Sequence, residues 1–578
     1  MKQRIIAAID FGTHGTGYAW TTIEDRHKDA KKRAVHFRTR WQDLPTPYPK
    51  NLTALLLDDK GELVAWGHEA RRKWAMRSAR GETDGYQYFG NFKMSLAAGG
   101  EGSGDLSGGM LSPERSKELV THYLRNIYAL AVAEIEQSGH SAAEIRWCLT
   151  VPAIWGDYQK QLMREAAVSA GLPDDEQRLQ LVIEPEAAAY HARVSGVRTV
   201  RASGRRASLM TKGSRFLVAD CGGGTVDITA YRTDERNRLE EIGRDFGGKY
   251  GSEYVNQAFL EKILVKRLGS FEVMDRVQVE APAALLEVLG SWEKAKVNVD
   301  TTSQDDIFLQ LPAAIDRLLG KEERVALGKQ QDGITDHIIV TAAEARDVFE
   351  SVVPDILELI DRQLTEMKVQ RRNAPGRELV ILVGGFASSP YLQERLQEHL
   401  AGRADVLVPP DPQVAVLLGA VHYTYDPQTK SRRTKFTYGC DVASNFRPGV
   451  DPEEKKYVLP DGRVKCKDRF KVFVAAGQSV PVDEEVVHSF SPLYEDQKNL
   501  TFDLYASGGK SPGYVTDPGC VKIGVVRVDL SDVMHLPLSS RSVSLSMMFG
   551  EVQIRVTAVV QGTGEATVAQ VRFTEAAA

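Results

Sequence analysis

The chain of 578 residues has few cysteines, no excess of positive charge and no long apolar run. Its five cysteines are Cys148, Cys221, Cys440, Cys466 and Cys520, and no two of them form a CxxC pair. A scattered set of odd number argues against a disulfide framework and against a zinc site. It suits a reducing compartment, so a cytoplasmic location is predicted.

The charge and the hydropathy pattern exclude further classes. A formal net charge of -5 provides no attraction for nucleic acid or for an anionic membrane surface. The longest apolar runs, "RIIAAI" and "ELVILVGG", have the length of strands and are too short to span a membrane. The "KQR" after Met1 leads into a strand without the apolar segment of a signal peptide. We therefore expect neither a nucleic-acid nor a membrane partner.

The apolar pattern changes along the chain. Up to about residue 428, strand-like and helical segments alternate, which predicts an α/β architecture. Later segments such as "CVKIGVVRVDL" and "EVQIRVTAVV" alternate apolar with polar residues at period two, which predicts a β-rich region over 435–578 with one wet face. The residues expected to share one strand face there are Val552, Ile554, Val556, Ala558 and Val560.

Two glycine-rich segments follow strands that end in aspartate. In "AAIDFGTHGTG" the strand ends at Asp10, and "LVADCGGGTVDITAY" repeats the pattern with Asp220 and, beyond the glycines, Asp227. Neither segment has the GK[ST] of a P-loop or a helix directly after the glycines, so both are predicted to be hairpin turns. Amide groups at such turns can converge on an anion, and each turn adds a hydroxyl, Thr13 or Thr225.

The three aspartates beside a phosphate require a cation between them. Carboxylate oxygens with a phosphate partner favour Mg²⁺, so Asp10, Asp220 and Asp227 are the predicted metal ligands. One such hairpin alone is explained by a tight turn, whereas two matched hairpins predict a nucleotide phosphate site. The residues predicted to cradle the phosphates are Gly12, Thr13, His14, Gly15, Gly222, Gly223, Gly224 and Thr225.

A third segment, "RELVILVGGFASSPYLQERL", reads as a buried strand, a turn and a helix. The turn is Gly384-Gly385, and Ser388 or Ser389 can cap the helix, with Pro390 in its first turn. This arrangement brings backbone close to a flat ligand, although an ordinary strand-to-helix loop explains it equally well.

The order of these segments resembles the actin, sugar-kinase and heat-shock ATPase superfamily, and within it the 70-kDa heat-shock chaperones. The hairpins, "VPAIWGDYQKQLMREAAVSAGL", "IEPEAAAYHA", "WEKAKV" and "LVGGFASSPYL" carry the resemblance over almost all of residues 1–425. "FKMSL", "TYGCDVASNFRPG", "VAAGQSVP", "GYVTDPG" and "MMFGEVQIRVTAV" are similar to a divergent branch of that family, the 12A/12B type.

The resemblance implies a fold and a division into domains. It implies a two-lobed actin-like ATPase of duplicated ribonuclease-H-like domains, followed by a β-rich C-terminal domain. Residues 1–212 would form lobe I, 213–402 lobe II, 403–428 a return segment to lobe I, and 435–578 the β-rich domain. By the same resemblance, the helical lid that usually covers a peptide cleft is not expected.

The resemblance also assigns roles to individual residues. Glu184 in "IEPEAA" matches an acid near the metal, and Arg71 in "WGHEARRK" stands where the family has a catalytic lysine. An arginine can neutralise the γ-phosphate but does not replace a compact ammonium, which predicts slow hydrolysis. The implied catalytic residues are Asp10, Arg71, Glu184, Asp220 and Asp227.

On the nucleoside side the sequence departs from the family. Glu293 and Lys296 match ribose contacts, and Gly384 and Gly385 match the adenosine motif together with Ser388. Ser388 and Val297 replace the two arginines that the family stacks on adenine. His14 is interpreted as a hairpin-tip side chain or a phosphate contact.

The implied function is that of an ATP- and ADP-binding protein with Mg²⁺. A slow ATPase, converting ATP and water to ADP and phosphate, would couple lobe closure to a β-rich domain that binds protein partners or clients, as in a chaperone. One alternative is a nucleotide-regulated scaffold with little or no hydrolysis, favoured by Arg71 and the altered adenine pocket. The other is a kinase for a small sugar or polyol from the same superfamily.

Overall fold

The computed structural model describes residues 3–23, 33–96, 111–195, 197–199, 206–207, 212–369, 378–550, 552–561, 566–567 and 573. The chain divides into two compact units. Unit 1 comprises Met1–Trp155, Leu162–Thr233 and Asp245–Pro427, and unit 2 comprises Gly156–Gln161, Asp234–Arg244 and Gln428–Ala578.

A first set of strands and helices lies before residue 196. They are β1 (Ile5–Phe11), β2 (Gly15–Thr22), β3 (His36–Phe37), β4 (Asn51–Leu52), β5 (Ala54–Asp58), β6 (Leu63–Trp66), α1 (Gly67–Arg80), β7 (Tyr86–Gly90), α2 (Pro113–Gln137), β8 (Ile145–Val151), α3 (Asp157–Ser169), β9 (Leu179–Ile183) and α4 (Glu184–Ser195). One sheet has the order β3-β2-β1-β8-β9, with β4 paired to β2. The hairpin β1–β2 is antiparallel, and β1, β8 and β9 are parallel.

A second set follows up to residue 425. It consists of β10 (Val197–Thr199), β11 (Arg206–Ala207), β12 (Arg215–Cys221), β13 (Val226–Thr233), β14 (Leu239–Glu241), β15 (Phe246–Gly248), α5 (Ser252–Phe259), α6 (Val265–Leu268), α7 (Phe271–Glu280), α8 (Pro282–Lys296), β16 (Ile307–Gln310), α9 (Ala313–Leu318), α10 (Lys321–Gln330), β17 (His337–Val340), α11 (Ala342–Glu350), α12 (Val353–Val369), β18 (Glu378–Val383), α13 (Pro390–His399), β19 (Ala404–Val408) and α14 (Ala415–Tyr425). In unit 1 its sheet runs β11-β10-β19-β18-β12-β13. An antiparallel hairpin, β12–β13, again lies beside two parallel strands, β18 and β19.

These elements form where local sequence favours them. All seven residues of β1, "IIAAIDF", are buried, as is typical of a strand covered on both faces. Helix α13 begins after Ser389, whose hydroxyl accepts a hydrogen bond from the Leu392 amide, and Pro390 occupies its first turn. Of the two serines that the sequence offered as caps, Ser389 is therefore the cap. The predicted α/β architecture is confirmed.

Helices α4 and α14 pack together and carry two buried histidines, His191 and His422. Burial lowers the pKa of His191 to about 4 and that of His422 to about 3, from the ordinary value of 6.5. As pH falls, the unfolded chain binds protons at these side chains before the folded chain does. The contribution of these neutral histidines to the free energy of unfolding is therefore fully present above pH 6.5. It declines toward pH 4 by roughly 3 kcal/mol for each histidine.

Denaturant unfolding across this pH range measures the effect. The substitution His422→Gln should remove about half of the pH dependence, whereas His535→Gln, at an exposed position, should leave it unchanged. Equal pH dependence in wild type and His422→Gln would show that this helix pair does not control acid stability.

The chain after residue 428 contributes β20 (Thr429–Arg433), β21 (Thr437–Asn445), β22 (Lys456–Val458), β23 (Val464–Val474), β24 (Ser479–Pro481), β25 (Glu485–Phe490), β26 (Asn499–Ser507), β27 (Cys520–Asp529), β28 (Val543–Met548), β29 (Arg555–Val560) and β30 (Ala566–Thr567). β20 pairs with β14 and β24, and the other strands form the sheets β22-β23-β21-β26-β27 and β25-β28-β29-β30, whose apolar faces share one buried cluster. In β29 Val556, Ala558 and Val560 are buried in alternation, as period two predicts, while Val552 and Ile554 precede the strand. The proposed lobe and domain boundaries stay predictions.

Among the residues described above, no helix combines the length and the apolar character that crossing a membrane requires.

Candidate functional site

The first glycine-rich segment is the turn between β1 and β2, as predicted. Thr53 holds its carbonyl groups: the Thr53 hydroxyl donates to the Gly12 carbonyl at 2.8 Å, and the Thr53 amide donates to the His14 carbonyl at 2.9 Å. A Cβ atom on Gly12 would lie 2.4 Å from the Gly15 carbonyl oxygen. Position 12 therefore requires glycine, because neither backbone segment can move without opening the turn.

The second segment is the turn between β12 and β13 and is held in the same way. The amides of Ser252 and Glu253, at the start of α5, donate to the carbonyls of Gly222 and Gly223 at 3.1 and 2.9 Å. A Cβ atom on Gly224 would lie 2.6 Å from the Thr13 hydroxyl oxygen. The two turns therefore contact each other, which brings both predicted phosphate loops into one place.

Four carboxylates lie buried near these turns: Asp10, Glu184, Asp220 and Asp227. Burial, and then the neighbouring carboxylates, raise the pKa of Asp220 well above its ordinary value. Burial also raises the pKa of Glu184, to about 7, although Lys93 opposes the shift. The Asp227 carboxylate accepts a hydrogen bond from the Ile154 amide at 2.9 Å. Such a buried group of acids favours the binding of a cation.

Two lysines that the sequence analysis did not assign to the site balance part of this charge. The Lys50 ammonium lies 2.6 Å from Asp10 Oδ2, and the Lys93 ammonium lies 2.6 Å from Glu184 Oε1. Burial disfavours charge on Lys50, but the interaction with Asp10 outweighs it, and the pKa of Lys50 is raised. Lys93 belongs to the fully buried 3₁₀ helix Phe92–Leu96. A single lysine in the apolar stretch "FGNFKMSL" was the available signal, because lysine is seldom buried without a partner.

A cavity of about 340 Å³ lies between the two turns. Every predicted site residue except Arg71 and Asp227 lines it, and so do Lys50 and Lys93. The lining residues that had been predicted are Asp10, Gly12, Thr13, His14, Gly15, Glu184, Asp220, Gly222, Gly223, Gly224, Thr225, Glu293, Lys296, Gly384, Gly385 and Ser388.

Arg71 does not line this cavity, and its catalytic role stays a prediction. It lines a neighbouring cavity of about 250 Å³, where its guanidinium donates to the Leu286 carbonyl at 2.5 Å and packs against Gly290 of α8. The reason lies in α1, which buries Ala70 and Trp74 and so turns the intervening Arg71 to another face of the helix. Lys50 and Lys93 are cations of this cavity that contact the acids.

Lys296, which also lines the cavity, is held by three acceptors. Its ammonium donates to Glu293 at 2.8 Å, to the Asn256 side chain at 2.7 Å and to the Ser252 carbonyl at 3.0 Å. The Lys296 contact lowers the pKa of Glu293 in spite of burial. Glu293 is thereby kept as an ionised acceptor, which suits a bond from a sugar hydroxyl.

Gly384, Val297 and Ser388 also line the cavity. Gly384 has φ of 91°, and a Cβ atom there would lie 2.4 Å from the Cys221 carbonyl oxygen. Val297 is 54% exposed and lines the cavity with Ser388. His14 lies at the edge, where one of its ring nitrogens and a carboxylate oxygen each of Glu253 and Glu293 fall within 4.8 Å of one another.

Comparison with known proteins gives two kinds of match. A family model described as a domain of unknown function (DUF8340) matches residues 211–409. Heat shock 70 kDa protein 12B of Homo sapiens is 31% identical over 98% of this chain and 91% of its own length. Heat shock 70 kDa protein 12A of Homo sapiens is 28% identical over 98% and 91%. Chaperone protein DnaK of Thermoplasma volcanium is 25% identical over 47% of this chain and 38% of its own length.

Proposed function

Because this chain belongs to the heat shock protein 70 family, in its 12A/12B-like branch, and is an ATP-binding protein of that family, we propose that it is a slow Mg²⁺-dependent ATPase. The observation that carries the proposal is the contact between two matching hairpin turns beside buried carboxylates in one cavity of about 340 Å³. The turns can bind an anion and the acids can bind a cation. A phosphate bound together with a cation uses both.

In this proposal the phosphates lie against the two turns. The Gly222 amide donates to the Thr225 carbonyl at 2.9 Å, so other amides of the turns and the hydroxyls of Thr13 and Thr225 are the proposed donors to phosphate oxygens. Thr53 and the first residues of α5 donate hydrogen bonds to carbonyl groups of the turns. This supports an arrangement in which amides of the turns face the ligand. Lys93, paired with Glu184, supplies the positive charge that was first assigned to Arg71.

The acids fit a divalent cation by charge and by chemistry. Four buried carboxylates lie with the two ammonium groups of Lys50 and Lys93, so acids outnumber the lysines paired with them. Asp10, Asp220 and Asp227 are the proposed residues that hold Mg²⁺ or its waters, and Mg²⁺ would neutralise charge on the phosphate oxygens. Glu184, whose pKa is raised to about 7, is suited to accept a proton from the attacking water.

The β-rich region is proposed to bind protein partners or clients in response to nucleotide. Unit 2 is formed from three separate chain segments, two of which, Gly156–Gln161 and Asp234–Arg244, interrupt unit 1 in sequence. These junctions are the covalent connections through which nucleotide binding is proposed to act on the β-rich region. The cytoplasmic location and the chaperone role belong to the same proposal.

Single-turnover hydrolysis with excess protein tests the enzymatic part. We expect ATP to be converted to ADP and phosphate at a slow rate that depends on Mg²⁺. Tight binding without turnover would instead establish the scaffold, which Arg71 and the altered adenine pocket favoured. Transfer of the phosphate to an added sugar or polyol would establish the kinase.

A further inference from the structure

Lys50 sits among the carboxylates because the backbone places it there. It directly precedes β4, which pairs with β2 so that Gly15 lies opposite Leu52 and Thr16 opposite Asn51. A Cβ atom on Gly15 would lie 3.2 Å from Lys50 Cβ, and one on Gly17 would lie 3.3 Å from Lys50 Cγ. Gly15 therefore makes room for the aliphatic stem of Lys50, and Gly17, whose Cβ would lie 2.7 Å from the Pro49 carbonyl oxygen, lets the residue before Lys50 approach β2.

The ammonium group of Lys50 forms an ion pair with Asp10, one of the acids predicted to bind the metal. Asp10 Oδ2 is 2.6 Å from Lys50 Nζ, and Asp10 Oδ1 accepts a hydrogen bond from the Thr150 hydroxyl at 2.9 Å. Both oxygens of Asp10 are thus engaged by the protein itself. The side chains of Lys50 and Asp10 are only 15% and 4% exposed, so water screens their interaction weakly.

An ammonium at this position has donors to spare. Lysine carries three N–H groups, and the contact with Asp10 uses one of them. Lys50 lines the cavity with Thr13 and Gly15 of the first turn. Its remaining donors are therefore within the site where the phosphates are proposed to lie.

We propose that Lys50 is a built-in counter-ion of the nucleotide site: it neutralises Asp10 and binds phosphate oxygens, so that ATP binding requires Mg²⁺ far less than three aspartates would imply. This inference rests on the proposed function. It adds that one side chain, Lys50, determines how strongly ATP binding depends on Mg²⁺, whereas hydrolysis still uses Mg²⁺.

Equilibrium titration with ATP, in excess Mg²⁺ and in EDTA, tests the inference. Wild type should keep its affinity in EDTA to within roughly tenfold. Lys50→Met should lose an additional tenfold to hundredfold in EDTA, as expected when a charged donor is removed, and should recover most of this loss when Mg²⁺ is restored. Lys50→Arg keeps the charge and should resemble wild type more closely than Lys50→Met does.

Lys60→Met is the matched control, since Lys60 is exposed in the turn between β5 and β6 and should show no change in either condition. The inference would be overturned if wild type lost its affinity for ATP in EDTA, or if Lys50→Met weakened ATP binding equally in Mg²⁺ and in EDTA. In either case, ATP binding in Mg²⁺ would still support the proposed function. Failure of wild type to bind ATP even with Mg²⁺ would overturn both. The wild-type titration gives its answer even if Lys50→Met does not fold.

Discussion

Replacing Lys93 with methionine should slow single-turnover ATP hydrolysis by roughly 10²–10³-fold, because the site loses the charge that stabilises the transferring phosphate. The same replacement at Arg71 should change the rate by less than about threefold, since Arg71 lines the neighbouring cavity and contacts the Leu286 carbonyl. Quenched-flow measurement of phosphate release compares the two variants directly. A larger effect at Arg71 than at Lys93 would restore the role first inferred from the sequence.

Lys93→Met also leaves the Glu184 carboxylate buried without its partner, so its stability must be measured alongside its activity. The double variant Lys93→Met with Glu184→Gln removes both charges and should regain most of the lost stability while staying inactive. Recovery of hydrolysis in the double variant would show that Lys93 serves only to balance Glu184.

Replacing Gly419 with alanine should destabilise the protein by about 3 kcal/mol or more. Gly419 lies in α14 against α4, and a Cβ atom there would lie 1.8 Å from the Ala187 carbonyl oxygen. The Ala187 carbonyl is part of the backbone of α4 and cannot move aside as the end of a flexible side chain can. The helices α4 and α14 must therefore separate. Because α4 begins at Glu184, the separation should also weaken nucleotide binding.

Gly290→Ala is the matched control for this prediction. Gly290 also lies within a helix, α8, but the atom that its Cβ would meet, at 2.5 Å, is the terminal Nη2 of Arg71, which can move. Alanine favours a helix over glycine by about 1 kcal/mol, so this variant should be neutral or slightly stabilised. Thermal and denaturant unfolding measure both variants, and similar results for the two would contradict the packing argument.

The parts of the site that could be predicted are those with local sequence signals. The turns at Gly12 and Gly222 could be predicted because an aspartate, glycines and a β-branched strand follow one another directly in the sequence. Their matched repetition then predicted a common ligand, and the structure places the two turns in contact. The period-two pattern of β29 is of the same local kind.

The lysines could not be predicted in this way because their positions depend on tertiary pairing. Lys50 is forty residues from Asp10 in sequence and reaches it only because β4 pairs with β2. Neither strand carries a sequence signal for that register. Lys93 depends on a short 3₁₀ helix whose five residues are all buried. Arg71 was placed by likeness of position along the chain, whereas the buried face of α1 decides where its side chain lies.

The most direct test of the central claim is calorimetric titration of the wild-type protein with adenosine, AMP, ADP and ATP in Mg²⁺, repeated with Gly12→Ala. If the two turns form one phosphate site, affinity should rise with each phosphate, adenosine should bind most weakly, and Gly12→Ala should lose the rise, since its Cβ would lie 2.4 Å from the Gly15 carbonyl oxygen. Equal affinity for adenosine and ATP, or an unchanged series in Gly12→Ala, would contradict the account.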